Sequence, residues 1–202
     1  MFSPKVLDRA FVLEFNDVDL DALSGRAPAE DASSTPLALS RMTTGLRLLG
    51  KPTDEEWQRF DVVAGGGPRA FIGALHALLA QDNRHFGYRV AREIARFTGL
   101  AAEQTAGGDD AIWAAVDVAV LAKVLPRLSG TQAELEPLLA KLFVLAVGVV
   151  DDDAGDVSPL ERWKISAGIL GGPTVLRLPR TALKLWRMRR RLRAQGFVSF
   201  IE

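Results

Sequence analysis

The stretch Ala111–Leu125, AIWAAVDVAVLAKVL, is apolar at every position except Asp117 and Lys123. A helix that is hydrophobic on all sides cannot lie on a surface and has to be enclosed by other elements. This stretch therefore demands partner helices. Its single carboxylate, Asp117, is expected to be partly buried and paired with a basic side chain from a neighbour. Gly107-Gly108-Asp109-Asp110 ahead of it reads as a turn and helix cap, and Pro126 and Gly130 bracket its end.

The partners are legible on both sides. Thr53-Asp54-Glu55-Glu56 is a capping box, opening a helix to about Val63 with Trp57, Phe60 and Val63 on one face. Gly65-Gly66-Gly67 stops it and reads as a joint between helices. No Lys-Ser/Thr follows it, so it is not a phosphate loop. Pro68 opens the next helix, to about Ala80, with a stripe of Phe71, Ile72, Leu75, Leu78 and Leu79 and with His76 beside the stripe as a structural residue. Gln81-Asp82-Asn83 is a turn. Arg84–Gly99 carries an amphipathic helix with Val90, Ile94 and Phe97 on one face. Thr131-Gln132-Ala133-Glu134 is a second capping box; the helix behind it runs to about Val147 and turns Leu135, Leu138, Leu139, Leu142, Phe143 and Ala146 inward. Gly148 and the three aspartates Asp151–Asp153 end it as a solvated turn. Ser158-Pro159-Leu160-Glu161 predicts a short helix over Leu160–Ile169. Pro179–Gln195 is the last long helix, with Leu183, Trp186 and Leu192 facing the protein. Gly196 ends it, and Phe197–Ile201 is an apolar tail pinned to the body. The fold class is mainly α, a helical bundle.

With 202 residues the chain has room for one or two domains. It has no cysteine, and two histidines, His76 and His85, do not by themselves make a zinc site. No secretory signal is visible at the N-terminus, and the longest apolar run, Leu142–Val150, is too short to span a bilayer. The expectation is a cytoplasmic protein with no membrane partner. No Ser/His/Asp or Cys/His set and no metal-ligand spacing is present.

Net charge is zero but unevenly spread: five acids against one base between Asp17 and Asp31, and eight Lys or Arg with no acid between Arg177 and Arg193. Such a basic element either meets an anion or acidic surface or is simply a solvated helix face. Arg180, Lys184, Arg187, Arg190 and Arg191 are the candidate contacts to nucleic acid or a partner. A single Tyr leaves little for base stacking.

At the other end, Ser3 can cap a short helix over Lys5–Arg9 with Pro4 at its first position, and Phe11-Val12-Leu13-Glu14-Phe15 reads as a buried strand. S-P-K-V-L-D-R-A-x-V-x-E-F resembles the end of the nucleotide-hydrolysing core of AAA+ proteins, most closely the McrB-like branch of modification-dependent restriction and phage-defence systems. There the Arg that precedes the final core strand reaches the nucleotide of a neighbouring subunit; the resemblance implies an arginine-finger-like role in trans for Arg9. F-G-Y-R-V-x-x-E-I, Phe86–Ile94, resembles the lid helix whose first-turn Arg leans over the phosphates, and implies a sensor-like role for Arg89. The alternative for Arg89 is a surface pair with Glu93 at i, i+4. Two more blocks follow in the family's order, D-x-x-x-L-x-K-V-L-P-R-L-S-G from Asp117 and L-x-R-M-x-x-R-L-x-x-x-G-F-V-S-F near the end.

The departure from the family is large. No G-x-x-x-x-G-K-[ST] loop occurs, and no apolar strand ends in carboxylates able to hold Mg²⁺. The resemblance thus implies a C-terminal piece: residues 1–16 as a remnant of the AAA+ core, helix then strand, 17–52 as a loop or linker, and 53–202 as a lid-like helical domain. ATP or GTP with Mg²⁺ is implied only together with a core outside this sequence, and no cofactor for this chain alone. A homo-oligomeric ring, a nuclease partner subunit and DNA are the implied partners. A nucleic-acid- or partner-binding module led by the basic helix is the alternative, and a ligand-free scaffold a third reading.

Overall fold

The computed structural model describes residues 6, 10–13, 54–104, 108–148, 164–166, 169–171 and 177–200. Contacts gather Met1–Leu13 with Thr53–Glu202 into one unit, to which everything below refers. Arg9, Glu14–Phe15, the expected linker 17–52, Asp151–Asp153 and the Ser158–Glu161 cap lie outside the described residues.

Among the described residues six α-helices carry the fold: α1 (Asp54–Val62), α2 (Gly67–Ala80), α3 (Tyr88–Gln104), α4 (Asp109–Lys123), α5 (Gln132–Val147) and α6 (Pro179–Gln195). The architecture is the mainly α bundle that the sequence predicts. The enclosed helix is α4, with Val116, Ala119 and Val120 at most 1% exposed. It packs against α3 and α6, while α1 lies on α3 and α5 on α6. All six residues expected to face inward from α5 are buried. Glu134 accepts the Thr131 N–H at 3.2 Å, one half of the expected capping box, and Gly148 closes the helix at φ +79°.

Helices α1 and α2 are joined by a 3₁₀ turn over Val63–Gly66, where Ala64 and Gly65 take positive φ. Gly66, at φ +78°, then caps α2. By length and composition alone Asp54–Ala80 would be long and apolar enough to cross a membrane. That joint breaks it into two helices, and Phe60, Phe71, Ile72, Leu75 and Leu79 are buried in the bundle core.

Two elements differ from expectation, and a third, the tail, is pinned to the body as expected but in the form of a strand. The predicted helix over Leu160–Ile169 is replaced by a hairpin: β2 (Lys164–Ser166) pairs antiparallel with β3 (Ile169–Gly171), Ile165 opposite Leu170. The β-branched Ile165 and Ile169 suit strands, and this outweighs the Ser-Pro-x-Glu start signal. The tail is pinned as a strand, β4 (Phe197–Ser199), antiparallel to β1 (Ser129–Thr131), with Gly130 opposite Val198. Phe200 beyond it is fully buried and donates its N–H to the Leu128 carbonyl at 3.1 Å. Near the front, Ala10–Leu13 form no strand where one was expected from Phe11. Val12 instead makes one bond, N–H to the Ala122 carbonyl at 3.0 Å, and the Phe11 ring rests on Phe97 with centroids 5.4 Å apart.

Candidate functional site

Arg89 is the second residue of α3 and stands exposed, beside a Tyr88 that is 90% exposed. Buried Phe86 anchors the chain just ahead of them, and the Ala91 N–H closes the first turn on the Gly87 carbonyl at 3.3 Å. The alternative pairing with Glu93 does not form. Glu93 is taken by Lys123 of α4, a lysine only 4% exposed that also sits over the Phe11 ring. Two other arginines of α3 are spent on the acidic first turn of α1: Arg92 reaches Asp54 at 3.2 Å and Arg96 reaches Glu56 at 2.8 Å. Arg89 has no ion-pair partner among the described residues. It therefore keeps its charge uncompensated at a helix N-terminus, where backbone donors also favour an anion.

The basic helix α6 divides into inner and outer cations. Its buried stripe runs through Ala182, Leu185, Met188 and Leu192, while Leu183 and Trp186 are only half-buried, so the inward face is rotated from the one expected. Lys184 falls on the inner side. Its ammonium donates to the Phe200 carbonyl at 3.0 Å and lies 4.2 Å from that ring's centroid, so this residue is not the outward contact expected of it. Its four-carbon stem lets the charge be buried where a carbonyl and a ring face receive it. Arg189 is 3% exposed and donates to Glu136 Oε1 on α5 at 2.6 Å, and Arg193 binds the same oxygen through Nε at 2.9 Å and Nη2 at 2.7 Å. Burial pushes the Glu136 carboxyl up, but the hydrogen bonds and charges of Arg189 and Arg193 outweigh it and hold it below its ordinary value.

Arg180 and Arg190 remain exposed and Arg187 and Arg191 half-exposed, the outer cations of the helix. Arg190 stacks over the Trp186 ring at 5.5 Å, and Arg177, just before the helix, over Trp113 at 5.2 Å. Arg180 and Arg187 thus stand on the outer side as expected, but no hydrogen bond or ion pair among the described residues joins them to Arg89.

Asp117 is buried, as expected, but its partner is not a basic side chain. Its two oxygens accept the backbone N–H groups of Arg180 and Thr181, each at 2.8 Å. These are the second and third residues of α6, whose first is Pro179, so Asp117 caps α6 from α4. Desolvation raises its carboxyl above the ordinary value, against the lowering pull of the Thr181 and Arg180 hydrogen bonds. Sequence reasoning missed this role because the capped helix begins more than sixty positions away. The signal was present in a cap-less Leu178-Pro179 start that needed an acceptor from elsewhere.

Among the described residues no group of three or more His, Cys, Asp or Glu could hold a metal ion. No curated protein matches the chain, and no solved structure does. The family "Domain of unknown function (DUF8727)" matches residues 67–197, from the start of α2 to the first residue of β4, and the chain belongs to it.

Proposed function

We propose that this chain is a lid-like helical domain that offers Arg89 to the phosphates of a nucleotide, ATP or GTP with Mg²⁺, held by a phosphate-loop domain outside this sequence. This is the role that the McrB-like resemblance implies, within an oligomeric ring that acts with a nuclease on DNA. The observation that carries it is the uncompensated charge of Arg89: its helix neighbours Arg92 and Arg96 are neutralised by α1, and its i+4 acid is spent on Lys123. In such a site a fixed cation at a helix N-terminus stabilises charge developing on the transferred phosphoryl group. Arg9 would act across the subunit boundary in the same way, and its surroundings lie outside the described residues.

The test is a titration of Mg·ATP and Mg·GTP into the labelled chain together with the phosphate-loop domain that the reading requires, followed by arginine side-chain resonances. Shifts confined to Gly87–Arg89 and lost in Arg89→Ala support the reading. No response at Arg89 up to millimolar nucleotide overturns it.

A second reading has its own observation, the outer cations Arg180, Arg187 and Arg190 on a helix without a single acid. They fit a polyanion held by counterion release without base readout. Anisotropy of a labelled DNA duplex across salt tests it; absence of binding at low salt removes it.

A further inference from the structure

The sheet formed by β1 and β4 has two outer edges, and the chain uses only one of them. Gly130 faces Val198, and two flanking bonds fix the phase of the ladder: Phe200 N–H to the Leu128 carbonyl at 3.1 Å, and Gln132 N–H to the Gly196 carbonyl at 2.9 Å. Bonded and non-bonded pairs alternate along an antiparallel ladder, so the main-chain groups of Ser129, Thr131, Phe197 and Ser199 turn outward. On β1 these outward groups are engaged. The Ser129 carbonyl accepts from Arg84 at 2.9 Å, and the Thr131 N–H donates to Glu134 at 3.2 Å. On β4 the outward N–H and carbonyl groups of Phe197 and Ser199 have no hydrogen bond among the described residues. The Phe197 side chain is 46% exposed.

An open edge of this kind is a template for a further strand, and proteins ordinarily close it with a charge, a proline or a covering element. Arg84 guards β1 in this way, whereas Phe197-Val198-Ser199 contains no such guard. Charge decides what fits. β4 runs back along α6, so that Lys184 reaches the Phe200 carbonyl, and Arg187 stands one turn along the same side of that helix, which carries no acid. A second copy pairing through the same edge would bring two basic helices together, while carboxylates on an incoming strand would be attracted.

We propose that the outer edge of β4 binds an extended, acidic segment of a partner protein by strand addition. Alternate residues of that segment bond through their main chain to Phe197 and Ser199, and an apolar side chain covers the Phe197 ring. Its Asp or Glu side chains meet the outer cations of α6.

The experiment is fluorescence anisotropy of the full chain with a labelled short peptide of alternating Val and Glu, and with its Val and Lys counterpart, read beside amide spectra. Expected are saturable binding of the Glu peptide that weakens with salt, binding of the Lys peptide about tenfold weaker or less, and shifts centred on Phe197 and Ser199. Ser199→Pro removes an outward N–H and leaves the bonds to β1 in place, because a strand accepts proline where its N–H faces away from the neighbour. It should weaken the Glu peptide by about tenfold or more, and so should methylation of the peptide's alternate amide nitrogens, a change that leaves the protein itself untouched. Four results overturn the proposal: no binding of the Glu peptide up to millimolar concentration, equal affinity for the two peptides, unchanged affinity after the amide methylation, or shifts centred away from β4. Self-association that Ser199→Pro abolishes would overturn it too, by making a second copy the occupant of the edge.

Discussion

Asp117 and Thr181 are tied twice, with Thr181 the donor each time: Asp117 Oδ1 accepts the Thr181 N–H at 2.8 Å, and the Thr181 hydroxyl donates to the Asp117 main-chain carbonyl at 3.3 Å. With Oδ2 on the Arg180 N–H at 2.8 Å, one buried carboxylate supplies the acceptors that the start of α6 lacks locally. The central helix and the basic helix are thereby fixed in register without an ion pair.

Removing that carboxylate strands two buried donors. Asp117→Ala is expected to cost about 3 kcal/mol, combining a lost cap with unmade buried hydrogen bonds. Asp117→Asn keeps one acceptor and should cost about half as much. Urea unfolding of the three proteins checks the order.

Asp117 and Glu136 should give opposite pH signatures, because their carboxyls are displaced in opposite directions. Asp117 titrates in the folded protein above the ordinary carboxylate value of 3.8, so its contribution to stability is fully present below that value and declines as pH rises through the folded value. Glu136 titrates below the ordinary carboxylate value of 4.5, so its contribution is present above 4.5 and is lost as pH falls through the folded value. The stability difference between wild type and Asp117→Asn should therefore shrink with rising pH, and that between wild type and Glu136→Gln with falling pH. Unfolding free energies measured between pH 3 and 8 distinguish the two; a shared sign would contradict the assignment.

Glu136 holds Arg189, which is 3% exposed, inside the α5–α6 interface. Glu136→Ala leaves that guanidinium buried and uncompensated, which typically costs about 3–5 kcal/mol. Changing both partners, Glu136→Leu with Arg189→Met, removes the charge along with its counter-charge and should recover most of the loss. A double-mutant cycle by thermal unfolding measures the difference, and a double variant no better than Glu136→Ala would show that packing of the arginine stem dominates.

How much of this was legible follows from the range of each interaction. Helices α2, α4 and α5 are written in local periodicity and caps: Leu135, Leu138, Leu139 and Leu142 recur at helical spacing, and Gly148 takes the positive φ that a glycine stop predicts. The inward face of α6 was not legible, since Arg189 and Lys184 look like surface cations until Glu136 and the Phe200 carbonyl arrive from distant parts of the chain. The same holds for Asp117, whose partners are backbone groups that no residue type advertises. The hairpin at Lys164–Gly171 was hidden by a Ser-Pro-x-Glu start signal in a segment too short for periodicity to arbitrate. In the candidate site, the outward Arg89 agrees with its place in the first turn of a helix. The reason it stays unpaired, a lysine of α4 claiming Glu93, required the fold.

Gly130 marks a close approach at the β1–β4 pairing. A Cβ there would lie 2.7 Å from Glu134 Oε2 and 3.3 Å from both Arg84 Nη2 and Leu135 Cγ. Arg84 donates to the Ser129 carbonyl at 2.9 Å, so the added methyl would displace both the capping carboxylate and the arginine that ties α2's following turn to β1. Gly130→Ala should cost about 1–2 kcal/mol through lost capping and strain, and thermal unfolding reads it. Glu134→Ala in the same background should cost less than it does in wild type, because the cap is already disturbed.

The last test separates function from architecture at α3. Arg89 is exposed and carries no partner among the described residues, so Arg89→Ala should leave unfolding free energy within about 0.5 kcal/mol of wild type. Arg96→Ala breaks a half-buried pair with Glu56 at 2.8 Å and should cost about 1–2 kcal/mol. If Arg89 serves a nucleotide, the two variants trade places in binding when the phosphate-loop domain is present: Arg89→Ala loses the response to Mg·ATP or Mg·GTP while Arg96→Ala, once folded, retains it. An Arg89→Ala protein as destabilised as Arg96→Ala would mean that this guanidinium holds the bundle together, and the sensor-like role would lose its only support. Arg89→Lys sharpens the comparison, since a point charge keeps attraction to phosphate but loses the planar fork, and it should retain part of the response.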